Sequence, residues 1–104
     1  MPDALSDAMV LAEAVRTAKR HRPFVKAVHE FSGFLRHVPN SSPGSWSHES
    51  IKQLGDIADR VVEAIELQIS ASDSTEDQRD LAARIYSLRR SLEEINTWER
   101  HFLG

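Results

Sequence analysis

The feature that most constrains this chain is a spacing. Apolar residues recur three and four positions apart in four separate stretches, and no stretch alternates with the period of two that a half-buried strand needs. Phe24, Val28, Phe31, Leu35 and Val38 keep the helical spacing, as do Ile51, Leu54, Ala58, Val61 and Ile65, widened by Ile57, Val62 and Ile69. Leu81, Ile85, Leu88, Leu92, Ile95 and Phe102 form another line, interrupted by Glu99, with Trp98 off to its flank. Leu5, Ala8, Met9, Ala12, Val15 and Ala18 form an earlier, alanine-rich one. A chain of 104 residues holds one domain with one core. The spacing predicts an all-α fold: an antiparallel four-helix bundle with short loops, its helices over about 3–21, 24–38, 48–71 and 76–102.

The boundaries come from punctuation. Asp3 or Ser6 suits the cap of the first helix. Continued through Pro23, the first apolar stripe would fall on Lys19, Arg22 and Lys26. A break or kink at Pro23 therefore separates the first two helices and turns the second stripe to a new direction. Residues 39–45, Pro-Asn-Ser-Ser-Pro-Gly-Ser, are the clearest loop, with Ser45 or Ser47 capping the third helix. Thr75 with Gln78 reads as a capping box. Asp80/Arg84, Arg89/Glu93 and Arg90/Glu94 stand four apart, as helix-stabilising ion pairs do. Gly33 and Gly55 fall inside helices, where each costs up to ~1 kcal/mol relative to Ala, so close helix approach is the expected reason for them.

Composition removes several classes of function. There is no cysteine, hence no disulfide, thiolate nucleophile or Cys-based zinc site. The serines of Gly44-Ser45-Trp46-Ser47 do not make a Gly-x-Ser-x-Gly elbow and read as helix caps. His21, His29, His37, His48 and His101 include no pair three or four apart, so no metal site is expected on a helix face. No glycine-rich phosphate loop is present, and neither a cofactor nor a small-molecule substrate is expected. No apolar run approaches the ~18 residues of a membrane span, and the start Met-Pro-Asp-Ala lacks a signal-peptide pattern. A cytoplasmic, non-enzymatic protein is the expectation.

What remains points to binding. The net charge is −3, which argues against nucleic acid, but residues 1–40 hold six Lys/Arg against four Asp/Glu. Arg16, Lys19, Arg20, Arg22 and Lys26 make a basic cluster suited to an anionic partner: an acidic protein, a phosphorylated ligand or an acidic phospholipid surface engaged peripherally. The plainer reading is a solvated end of the first helix, where cations offset the negative pole of the macrodipole. Trp46, in the loop, and Trp98 are candidate protein-interaction residues or core anchors.

Two resemblances add to this. Pro23-Phe24-Val25-Lys26-Ala27-Val28, then residues 50–65 with Leu54 and Arg60-Val61, then the Leu/Ile repeats of residues 81–95, resemble the N-terminal helical domain of mixed-lineage kinase domain-like and fungal HeLo-type signalling proteins. The resemblance covers about residues 23–103 and implies a cell-death or immune-signalling bundle that self-associates and engages acidic membranes through basic residues. Only Lys26 and Lys52 fall in the matched helix starts. Separately, His29-Glu30-Phe31-Ser32-Gly33 is similar to the phospho-accepting segment of histidine phosphotransfer domains, with Ser32 where those domains carry Lys or Arg. That implies His29 as a phospho-acceptor. A purely structural domain of a larger protein is the third alternative.

Overall fold

The computed structural model describes residues 4–103, and four α-helices carry most of them: α1, Ala4–Thr17; α2, His21–His37; α3, His48–Ala71; and α4, Thr75–Phe102. Among the described residues there is no strand, as the spacing predicts. The 28 residues of α4, at ~1.5 Å of rise each, account for most of the 45 Å long axis.

The first boundary lies upstream of its expected place. α1 ends at Thr17, whose hydroxyl donates back to the Glu13 carbonyl at 2.9 Å. Ala18, Lys19 and Arg20 form the break, because beyond Val15 the first stripe has almost nothing left to bury. α2 then opens at His21, and Pro23 sits inside its first turn. No intrahelical partner awaits a proline's missing N–H there, so the residue fits without a kink. The first closed turn is Phe24 N–H donating to Arg20 O at 3.0 Å. Ser6 lies within α1 rather than capping it, and Asp3 lies outside the described residues.

The caps of α3 and α4 are built from serines. Ser47 accepts from the Ser50 amide at 3.1 Å while its own amide donates to Ser50 Oγ at 2.8 Å, a reciprocal box in which Ser50 takes the place usually held by Glu. α4 is capped by Ser74, which accepts from the Asp77 amide at 3.2 Å, and not by Thr75. Gln78 works on the preceding helix instead. Its amide donates to Ser72 O at 2.8 Å and Ile69 O at 3.4 Å, satisfying carbonyls at the end of α3.

Each helix packs on two others: α1 on α2 and α3, and α4 on α2 and α3. α2 and α3 are thus diagonal. His21, at the start of α2, approaches Asp77 near the start of α4, so α2 and α4 run parallel. His48, at the start of α3, reaches Glu99 and Leu103 at the end of α4, so these two run antiparallel. Met9 shares a groove with Ile57, and Arg16 one with Leu67, so α1 and α3 run parallel. Consecutive helices alternate in direction. The links at 18–20 and 72–74 are short, but residues 38–47 must cross the end of the bundle, through two 3-10 turns, Val38–Asn40 and Pro43–Ser45.

The core runs through all four helices and this crossing. Phe31, Leu35, Leu54, Ile65, Leu81, Leu88 and Ile95 are fully buried. In α4 the buried stripe is Leu81, Ile85, Leu88, Ser91, Ile95 and Trp98. Trp98 therefore stands in the seam, where the spacing alone puts it at the flank, and Phe102 is 62% exposed beyond the end of the packed region. Two glycines also depart from expectation. A Cβ on Gly55 would meet nothing within 4 Å, and on Gly33 only the Arg36 side chain at 3.8 Å, so neither permits close helix approach. Gly55→Ala is expected to raise stability by about 0.5–1 kcal/mol, read from the urea midpoint. A lowered midpoint would show that the glycine does other work.

Candidate functional site

The five residues of the basic cluster do not share one surface. Arg16, on α1, donates to Glu13 at 3.2 Å and borders the α1–α3 groove with Arg60. Lys19 and Arg20 stand exposed in the link. Arg22 and Lys26 line a groove between α2 and α4. Across it lie Asp80 and Arg84, and His29 continues the same stripe of α2 with Val25 between. Arg22, Lys26 and His29 are four and three residues apart, which aligns them along one face.

The position of the break changes the electrostatics. Because α1 ends at Thr17, Arg20, His21 and Arg22 stand at the N-terminus of α2, the positive pole, and not at the C-terminus of α1. The first turn of α2 holds no acidic residue, and its N-cap, Arg20, makes no side-chain cap bond. Arg16, in the last turn of α1, still offsets the macrodipole of α1, but Arg20, Arg22 and Lys26 do not. Arg22 and Lys26, one turn apart, repel each other by a few tenths of a kcal/mol. Among the described residues no carboxylate lies within ion-pair distance of Lys19, Arg20, Arg22 or Lys26.

Arg84 differs from these. Its Nε donates to Asp80 Oδ2 at 3.1 Å and its side chain is 27% exposed, so the guanidinium is held at the groove with its terminal amino groups unspent. Spacing alone gives Asp80/Arg84 only as an ion pair within α4. Only the parallel packing of α2 on α4 reveals that it faces Lys26. Of the other expected pairs, Arg90 lies 3.9 Å from Glu94, while Arg89 turns to Glu66 of α3 at 3.9 Å.

The two tryptophans are corrected as interaction residues. Trp46 is 7% and Trp98 6% exposed, and both belong to the core. Trp46 packs edge-on against Phe34 with ring centroids 6.2 Å apart, and Trp98 stacks at a tilt on Phe102 at the same distance. The exposed apolar side chains lie elsewhere, Met9 and Val10 on α1 and Leu67 on α3 among them.

Among the described residues, His48 is the titratable group whose surroundings shift it. Nδ1 lies 2.7 Å from Glu99 Oε2 and Nε2 lies 2.9 Å from Leu103 O. Both partners are acceptors, so both ring nitrogens donate only when the imidazole is protonated. The Glu99 hydrogen bond, and then the Leu103 carbonyl, raise its pKa above the ordinary 6.5. A raised folded pKa stabilises the fold fully below pH ~6.5, and the contribution is lost as pH climbs through the folded value. His48→Gln is accordingly expected to lower the thermal midpoint at pH 5.5 and to change it little at pH 9. An equal loss at both values would refute the clamp.

No group of three or more His, Cys, Asp or Glu among the described residues is placed to hold a metal ion, and no helix there is long and apolar enough to cross a membrane. In comparison with known proteins, the chain matches no family model, no curated protein and no solved structure.

Proposed function

We propose that this chain is a non-enzymatic helical interaction module that docks an anionic protein partner through the basic stripe of α2. The observation that carries the reading is the set of unneutralised cations, Lys19, Arg20, Arg22 and Lys26, gathered around the start of α2, with Arg20 and Arg22 at its positive pole. A fold gains nothing from that placement, whereas an acidic partner does. The resemblance of residues 23–103 to HeLo-type domains supports a signalling role of this kind. A protein partner suits the surface better than a membrane. Asp77 and Asp80 border the same face, and a flat anionic surface would press against them.

Binding to immobilised polyglutamate and flotation with phosphatidylserine vesicles, both at low salt, test the proposal. Wild type is expected to bind polyglutamate, and Arg22→Glu/Lys26→Glu to bind it roughly tenfold more weakly or worse. Equal binding by both forms, or by neither, overturns the reading. Flotation without polyglutamate binding overturns the protein partner in favour of a membrane.

A second reading has its own observation. His29 is exposed on a helical bundle, and Lys26 and Arg84 line the same groove and supply the positive charge that Ser32 lacks. This supports a phospho-accepting role. A phosphorylated receiver domain should then label wild type and not His29→Gln, and an unlabelled wild type ends the idea.

A further inference from the structure

We infer that the groove between α2 and α4 seats a phosphate monoester carried on a protein side chain, held without covalent bonding between Arg22, Lys26, His29 and Arg84. This rests on the anionic-partner reading and narrows the anion. Three features of the groove carry it.

The first is preorganisation. Asp80 takes the Nε of Arg84 at 3.1 Å, which fixes the plane of the guanidinium and leaves two amino groups for a ligand. A side chain already restrained loses less freedom on binding than the free arginines of the surface. The second is convergence. Arg22, Lys26 and His29 form one stripe on α2, and Arg84 faces them from α4. Cations from two helices thus surround one opening, and the single carboxylate of the lining, Asp80, is already matched by Arg84. The third is the floor, where half-buried Val25 offers an apolar contact for the carbon skeleton that bears the anion.

These features select among anions. A carboxylate has one charge and two oxygens, which Arg22 and Lys26 suffice to hold, leaving the free amino groups of Arg84 unused. A phosphate monoester carries about −1.5 to −2 charges and three terminal oxygens, enough to engage Arg84, Lys26 and Arg22 together. The imidazole of His29 supplies an N–H in either protonation state. Nucleic acid is disfavoured because no Phe, Tyr or Trp lines the groove as a platform for successive bases.

Titrating the whole chain with phenyl phosphate and with benzoate, which share a ring and differ in the anion, tests the inference by amide NMR shifts. Phenyl phosphate should perturb residues 22–29 and 80–84 and bind at least about tenfold more tightly than benzoate. Arg84→Gln should weaken phenyl phosphate by roughly tenfold while polyglutamate binding through Arg22 and Lys26 persists, and Arg84→Lys should fall between. An unchanged helical circular dichroism signal certifies the fold of both variants. Equal affinity for the two ligands, or phenyl phosphate binding indifferent to Arg84→Gln, overturns the phosphate site and leaves the broader anionic reading standing if polyglutamate still binds. Loss of polyglutamate binding in wild type brings down both. Flotation with phosphatidic acid vesicles without a response to phenyl phosphate overturns the protein-borne source.

Discussion

Phe31→Ala is expected to cost about 3–5 kcal/mol and to lower the thermal midpoint by roughly 15–25 °C. Phe31 is fully buried in α2, at the centre of the stripe that begins at Phe24 and ends at Val38. Removing its ring forfeits the transfer free energy of the aromatic group and leaves a void that a packed interior refills only in part. Domains of this size have total stabilities of about 5–15 kcal/mol, so the substitution removes a large share of the total. Phe31→Leu, which keeps most of the volume, should cost far less. Circular dichroism at 222 nm during heating gives the readout. A midpoint within a few degrees of wild type for Phe31→Ala would mean that this part of the core is loosely packed.

Trp46→Ala should approach the same size, about 3–4 kcal/mol, although the residue lies in a loop. The crossing of residues 38–47 is held to itself by local bonds: Ser41 N–H to Val38 O at 3.0 Å, Ser45 N–H to Ser42 O at 3.0 Å and Trp46 N–H to Pro43 O at 3.2 Å. None of these fastens the loop to the bundle. Val38 and Trp46 are its only buried side chains, and Trp46 adds the edge-on contact with Phe34. Without that ring the crossing has one anchor left. Trp46→Phe should recover much of the loss. Urea unfolding followed by circular dichroism is the suitable measurement, since the substitution itself removes a fluorophore. A loss below about 1 kcal/mol would show that the loop is fastened by other means.

Much of this core is legible from spacing alone. The stripes Phe24–Val28–Phe31–Leu35–Val38 and Ile51–Leu54–Ala58–Val61–Ile65 are buried to the last member, because an amphipathic helix has one way to hide such a face. Met9, by contrast, belongs to the first stripe by spacing and is 57% exposed. α1 is apolar on more than one side, so period alone does not say which side meets the bundle. Carrying the α4 line on to Phe102 sets Trp98 at the flank, and what decides between the two is how far the other helices reach along α4. Gln78 departs from its expected role because a side chain at a helix start can serve its own helix or the one before. The three-residue turn at 72–74 brings the carbonyls of α3 within its reach.

The candidate site is harder to read for the same kind of reason. Arg22, Lys26 and His29 are visible as a stripe, but the sign of their interaction with the backbone depends on where α1 stops. A shift of four residues, from His21 to Thr17, moves Arg20 and Arg22 from a favourable pole to an unfavourable one, while Arg16 stays in the last turn of α1. Arg84 is 58 positions from Lys26 in the chain, and nothing short of the packing of α2 on α4 places them at one groove.

The diagonal connection has a consequence for how the molecule assembles. α1 with α2, and α3 with α4, are helical hairpins closed by three-residue links, so their contacts are short-range and form early at little entropic cost. The contacts of α1 with α3 and of α2 with α4 are all between hairpins, and they wait on the ten-residue crossing. The basic groove, lying on the seam of α2 with α4, therefore comes into being only when the two halves dock. A crossing too short to span the end of the bundle would make a hairpin find its mate on a second chain, exchanging halves between two molecules while keeping the contacts between hairpins.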